Sequence, residues 1–305
     1  MKFTRLVFTL MFVFCFGPAA FPQAQNVPAE YQEVLTILGK QGDYASNVLK
    51  VNIPRNDLNV SIQGMPVPTP LGFGGWVALT NGADGKTVLM GDLVLLEKEV
   101  NPVMSALLNN GIEVTALHNH FFFEQPRIFY MHVMGMENKP ADLARKVKPA
   151  LDLMGQGAKP AAASANAKPS MNTSRLVQII GHNGEQNGAV YKITVGRDDI
   201  NLREMGAVIN ARMGLNTWAA FIGTDDKASV AGDIAMLPEE VTPVLKTLRS
   251  HGIDVVSIHN HMVGTKPEII FLHYWGQGTA AQLATGFKAA LDQLGKKQTI
   301  SQTQH

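Results

Sequence analysis

The sequence predicts an α+β fold of two tandem homologous domains, each an antiparallel-rich sheet with two helices. Three observations carry that expectation. First, the chain repeats itself at a constant spacing: Ile37-Leu38-Gly39 answers Ile179-Ile180-Gly181, Arg55-Asn56-Asp57-Leu58 answers Arg197-Asp198-Asp199-Ile200, and Trp76 answers Trp218. The spacing shortens by one residue after Ile222, and the match then resumes with Gly91-Asp92 against Gly232-Asp233 and Glu99-Val100 against Glu240-Val241. Second, apolar residues alternate or run together in short stretches bounded by turn residues, the pattern of strands. Third, longer stretches with helical spacing end at glycine. A length of 305 residues suits about two domains of ~150 residues each.

In chain order, Tyr31 to Leu38 places Val34, Leu35 and Leu38 on one side of a helix turn or two. Trp76 to Thr80 and Thr87 to Leu95 flank the turn-rich Asn81-Gly82-Ala83-Asp84-Gly85, which predicts a hairpin. Glu97 to Asn110 carries Val100, Val103, Met104 and Leu107 at helical spacing and stops at Gly111; Glu239 to Gly252 repeats it. Ile112 to Phe123 and Ile128 to Val133 read as two strands that carry histidines, and a last helix spans about Pro140 to Met154, with Thr279 to Leu294 as its counterpart. The expected organisation is a signal peptide at 1–24, a first repeat domain at 27–155, an Ala/Pro/Lys/Ser linker at 156–175, a second repeat domain at 176–297 and a tail at 298–305.

The N-terminus predicts export. Lys2 and Arg5 precede the apolar run Leu6 to Phe16, and Gly17-Pro18-Ala19-Ala20 supplies the small residues that signal peptidase requires. The run is shorter than the roughly 20 residues a bilayer span needs, so the mature chain is expected to have no membrane span and to be periplasmic or secreted. Cys15, the only cysteine, lies within that run, which leaves neither a disulfide nor a thiolate site in the mature chain. With 26 basic and 25 acidic residues there is no field to gather nucleic acid. A small-molecule substrate remains open, as does the oligomeric state.

Six of the nine histidines fall into one pattern seen twice: His118-Asn119-His120 with His132, and His259-Asn260-His261 with His273. On a strand, residues two apart share a face, so His118 and His120 point the same way. A turn centred on Pro126 is expected to bring His132 directly opposite His120. Each repeat would then gather its own trio, His118, His120 and His132 in the first and His259, His261 and His273 in the second. Three neutral imidazoles are the donor set of a zinc site that keeps a position for water or substrate. The competing reading makes them partly buried histidines satisfied by backbone or carboxylate partners; burying three on one face without a shared partner is costly. The letters His-Asn-His are not the nuclease motif, which spreads its residues over a hairpin and a helix.

Glu99 and Glu240, in the first turn of the preceding helix, are the candidates for a catalytic base or a fourth ligand, against a plain dipole-complementing role. Asp92 and Asp233 follow glycine and read as turn or bulge residues. Arg55 and Arg197 read as surface ion pairs, with bidentate capture of an anion as the functional alternative, and Trp76 and Trp218 read as core.

The sequence Glu99-Val100-Asn101-Pro102, Gly111-Ile112-Glu113-Val114 and Leu117-His118-Asn119-His120, repeated through Ile258-His259-Asn260-His261 and His273-Tyr274-Trp275-Gly276, resembles the LppY/LpqO family of bacterial envelope proteins over nearly all of the mature chain. That resemblance implies export and a paired domain of unknown function, but no reaction. Where the first copy has Phe121-Phe122-Phe123-Glu124 the second has Met262-Val263-Gly264-Thr265, so the two sites are not expected to be equivalent. The histidine spacing is also similar to the three-histidine zinc site of acetolactate decarboxylase. Two functions therefore stand side by side: a metal-dependent lyase or hydrolase on a small carboxylated or ester substrate, and a non-catalytic envelope protein that binds metal or is braced by it.

Overall fold

A computed structural model describes residues 26–156 and 170–296. The expected signal peptide, most of the expected linker and the tail lie outside the described residues. The first repeat runs α1 (Ala29–Leu38), β1 (Gly42–Ala45), β2 (Val48–Pro54), β3 (Val60–Ile62), β4 (Met65–Val67), β5 (Gly74–Asn81), β6 (Thr87–Leu96), α2 (Glu97–Asn109), β7 (Glu113–His118), β8 (Glu124–Gln125), β9 (Ile128–Glu137) and α3 (Pro140–Leu151). The second repeats it as α4 (Thr173–Ile180), β10 (Gly184–Asn187), β11 (Val190–Gly196), β12 (Leu202–Glu204), β13 (Ala207–Ile209), β14 (Asn216–Gly223), β15 (Ala228–Met236), α5 (Pro238–Ser250), β16 (Asp254–His259), β17 (Ile270–Gly278) and α6 (Ala280–Leu291). The fold is α+β, as expected. Each repeat has a third helix, because the short amphipathic stretch before its first strand forms α1 or α4 and docks on α3 or α6.

Each repeat builds one six-stranded antiparallel sheet, in the order β1-β2-β5-β6-β9-β7 and β10-β11-β14-β15-β17-β16. The period-2 alternation of side chains gives each sheet two different faces. Leu49, Val51 and Ile53 of β2, Val77 and Leu79 of β5, and Met131 and Val133 of β9 turn toward the helices, where they meet Val34, Val103, Leu107 and Leu143. The intervening residues turn toward the other repeat. Val48, Ala78, Met90 and Met134 of the first sheet pack with Leu202, Ile209, Met213 and Phe271 of the second repeat. Reciprocally, Val190, Ala220, Ala231 and Trp275 pack with Ile62, Leu71, Phe73 and Tyr130 of the first. Each repeat thus covers the inner face of its partner through two apolar clusters. Arg212, paired with Asp43, ties the rim of this contact.

One buried arginine in each repeat holds the helix that follows the hairpin to its sheet. Arg55 donates from Nη1 to Glu99 Oε2 at 2.7 Å and to the Val94 carbonyl at 2.6 Å, and from Nε to Asp57 Oδ1 at 2.8 Å. Arg197 repeats this with Glu240 at 2.8 Å, the Ala235 carbonyl at 2.6 Å and Asp199 at 2.9 Å. Arg55 is 2% and Arg197 4% exposed, so these are interior pairs and not the surface pairs the sequence suggested. The hydrogen bonds from Arg55 and Arg197 hold Asp57 and Asp199 below the usual carboxylate range, against the opposing effect of partial burial. A carboxylate depressed in the folded state stabilises the fold fully above its unfolded pKa, about 3.9, and that contribution is lost as pH falls through the depressed value. Tm measured across the acid range is therefore expected to fall below about pH 4. Asp57→Asn and Asp199→Asn should flatten that limb; an unchanged limb in the double variant would contradict the assignment.

Candidate metal centre between the repeats

The first histidine strand is shorter than the sequence suggested, and the second is longer, running on to Glu137. β7 ends at His118, so the chain has left the strand when it reaches His120. The register corrects the expected pairing: His118 lies opposite Tyr130 and Ala116 opposite His132, while His120 faces no residue of β9. An irregularity between Val114 and Ala116, repeated between Val255 and Ser257, precedes each histidine pair. Such bulges twist a strand end and re-aim its side chains. Here Ala116 and His118 share the inner face with His132.

The inner faces bring all six imidazoles together at the contact between the repeats. His118 and His259 stack with ring centroids 3.6 Å apart, His120 with His273 at 3.5 Å, and His132 with His261 at 3.7 Å. The third histidine of each repeat therefore abuts the second histidine of the other. The groupings with ligand atoms close enough to share an ion are His118, His120 and His273, and His118, His132 and His259. Neither is a same-repeat trio. In the first, His118 Nε2 lies 3.1 Å from His273 Nε2 and 3.1 Å from His120 Nε2. Three nitrogens bound to one tetrahedral zinc at 2.0–2.1 Å stand about 3.4 Å apart, close to this spacing.

Protonation alone leaves the cluster poorly satisfied. A neutral imidazole carries one donor and one acceptor, and His118 Nε2 has two imidazole partners. His132, His259 and His261 bury their Nε2 atoms with no partner, as do His118 and His120 their Nδ1 atoms. Burial, reinforced by neighbouring imidazoles, holds His118, His120, His132, His261 and His273 well below the usual histidine range, and burial takes His259 down to about 4. The rings are thus neutral, the form that binds metal. His273 Nδ1 lies 3.3 Å from the Gly232 carbonyl, and Gly91 contacts His132 likewise, which fixes the proton on Nδ1 and turns Nε2 toward the cluster.

Glu99 and Glu240 are not part of this centre. Glu99 accepts from both Arg55 Nη atoms, from the Leu96 amide at 2.8 Å and from the Gly155 amide at 2.8 Å. Glu240 is held the same way by Arg197, by the Leu237 amide at 2.8 Å and by the Gly295 amide at 2.6 Å. The carboxylates that do reach the centre are Asp92 and Asp233. They sit mid-strand, opposite His132 and His273, and are not turn residues. Asp233 approaches His261 Nε2 to 3.9 Å and His273 Nδ1 to 4.0 Å. Burial pushes Asp92 up to about 8 and Asp233 well above the carboxylate range, and each leaves Oδ1 without a partner. Their sequence signal was the shared alternation of Trp76, Asp92 and His132, which puts them in one row across the sheet.

A family model described as Domain of Unknown Function (DUF1259) matches residues 32–153 and again 174–293. The chain belongs to that family. Both matched segments end beyond the third histidine, so each family domain contributes a His-x-His and a partner histidine to the shared centre. No curated protein matches the chain. Among solved structures it is similar to EtuB from Clostridium kluyveri, at 10% identity over 82% of this chain and 88% of that one, with a TM-score of 0.20. A trimeric bacterial microcompartment shell protein, PduB, matches at 12% identity over 82% and 90% of the two chains, with a TM-score of 0.19. Likeness at that level carries nothing into the reading of this centre. No helix among the described residues is long and apolar enough to cross a membrane.

Proposed function

We propose that this DUF1259 protein is an exported, zinc-type metal protein that holds two ions in trios shared across its repeats, with each ion's remaining position open to a small carboxylated or ester substrate. One trio is His118, His120 and His273. The other is taken from the repeat as its counterpart, His259, His261 and His132; the grouping as it stands is His118, His132 and His259, and His261 would close on the ion in place of His118, because one imidazole nitrogen serves one ion. The observation that carries this reading is the placing of His120 Nε2 and His273 Nε2 each 3.1 Å from His118 Nε2, together with the three buried, unpartnered Nε2 atoms of the counterpart trio. Export rests on Lys2, Arg5 and the apolar run that follows, as in the LppY/LpqO resemblance.

A zinc ion in an all-imidazole site supplies Lewis-acid polarisation of a carbonyl, or a bound water acidic near neutral pH. Asp92 and Asp233 take the proton-handling role first assigned to Glu99 and Glu240, since they lie beside the imidazoles with an unpartnered oxygen each. The second reading, a metal brace, is favoured by the ions tying one repeat to the other. Cobalt substitution separates the two. An open position predicts that a small hydroxamate changes the visible cobalt spectrum, and that Asp233→Asn keeps the metal while losing ester or carbonyl turnover. A spectrum indifferent to added ligand would leave the brace.

A further inference from the structure

Two lysines occupy the same inner faces and take no part in the metal trios. Lys50 of β2 places its ammonium 4.5 Å from the Trp76 ring centroid, and Lys192 of β11 places its own 4.1 Å from that of Trp218. Neither ammonium has a hydrogen bond or an ion-pair partner within 4.0 Å among the described residues. Both side chains keep partial exposure, as do the two tryptophans. Lys50 and Lys192 are close enough to repel each other, Arg212 adds to that repulsion at Lys50, and Asp43, Asp92, Asp233 and Glu185 attract from beyond ion-pair reach. A half-buried lysine without an ion-pair partner is costly to maintain. This fold maintains one in each repeat.

The lysines adjoin the metal centre. Asn52, Trp76, Asp92 and His132 form one transverse row of direct strand partners, and Thr194, Trp218, Asp233 and His273 form the other. Strands are spaced ~4.8 Å apart, so each tryptophan stands about two strand widths from its histidine. The second repeat also reaches over the first at Gly214 (φ +99°). A side chain there would begin 3.2 Å from the Trp76 ring and 3.8 Å from His261 Nδ1, a tight fit, and the positive φ itself favours glycine.

We propose that Lys50 and Lys192, backed by the faces of Trp76 and Trp218, form an anion subsite that seats a carboxylate of a small substrate beside the histidine centre. Two ammonium groups that feel each other's charge, each over an aromatic face and without an ion-pair partner among the described residues, match the charge of a small mono- or dicarboxylate. The subsite rests on the metal reading for what the substrate meets next, but its anion chemistry stands on the lysines alone.

Malonate is a suitable probe, because two of the chain's three tryptophans lie under the lysines and report binding by their fluorescence. Titration of the mature protein is expected to give a saturable change. Lys50→Met and Lys192→Met should each weaken it at least tenfold, with metal content unchanged and Tm equal or higher, since an unpaired interior charge has been removed. Lys50→Arg should bind within a few-fold of wild type. No saturable response in the wild type, or Lys50→Met titrating like the wild type, overturns the subsite. A lysine-dependent response in a protein that elemental analysis finds free of metal supports the subsite and removes the metal reading; metal without any response removes the subsite alone.

Discussion

His273→Ala combined with His259→Ala is expected to strip the folded chain of both ions, whereas His120→Ala combined with His273→Ala is expected to leave about one. The contrast follows from which repeat supplies the third ligand. With trios shared across the repeats, His273 belongs with His118 and His120, and His259 belongs with His261 and His132. The first double variant then damages both centres and the second damages only one. With same-repeat trios the outcome reverses: His259 and His273 would fall in one site, and His120 and His273 in two. Elemental analysis after gel filtration reads the difference directly, and circular dichroism confirms that the sheets persist. The stacked pairs His120–His273 at 3.5 Å and His132–His261 at 3.7 Å set the expected direction.

Glu240→Gln should act on stability and leave the metal in place. Its two oxygens receive four hydrogen bonds, two from Arg197 and one each from the Leu237 and Gly295 amides. An amide in its place removes the charge that pairs a 4%-exposed arginine and sets an NH2 group against donors. Breaking a buried pair from one side costs about 3–5 kcal/mol. For a chain of this size that corresponds to a fall in Tm of roughly 10 °C. Glu99→Gln should do the same through Arg55. A general base in this position would give the opposite pattern, with turnover lost at an unchanged Tm. A Tm within about 2 °C of wild type would show that the pair contributes little, as exposed pairs do.

Much of the architecture was legible because local patterns specify it. Glycine stops and helical spacing marked α2 and α5, the turn-rich Asn81 to Gly85 marked the β5–β6 hairpin, and the repeat carried every helix and every strand but β8 into the second half. The histidines were legible as a cluster for the same reason. What alternation cannot supply is the partner of a face. It told that the histidines of one repeat share a face, but not that the surface they meet is the second repeat's, since contact between sheets leaves no periodic trace in either strand. The expected opposition of His132 to His120 failed because β7 stops at His118 and its bulge shifts the register. Glu99 drew attention as a carboxylate near a histidine strand, while its arginine lay far away in sequence. The recurrence of Arg-Asn-Asp and Arg-Asp-Asp with a later glutamate was the available sign. Asp92 and Asp233 were passed over because Gly-Asp commonly marks a turn, yet here the glycine permits close packing within a strand. A side chain on Gly232 would begin 2.1 Å from Tyr274 Oη.

The most direct measurement is anomalous scattering at the zinc edge from crystals of the metal-loaded protein. Peaks bounded by Nε2 of His118, His120 and His273, and by Nε2 of His259, His261 and His132, are the predicted result. A peak enclosed by His118, His120 and His132 of one repeat, or no peak among the six imidazoles, would contradict it.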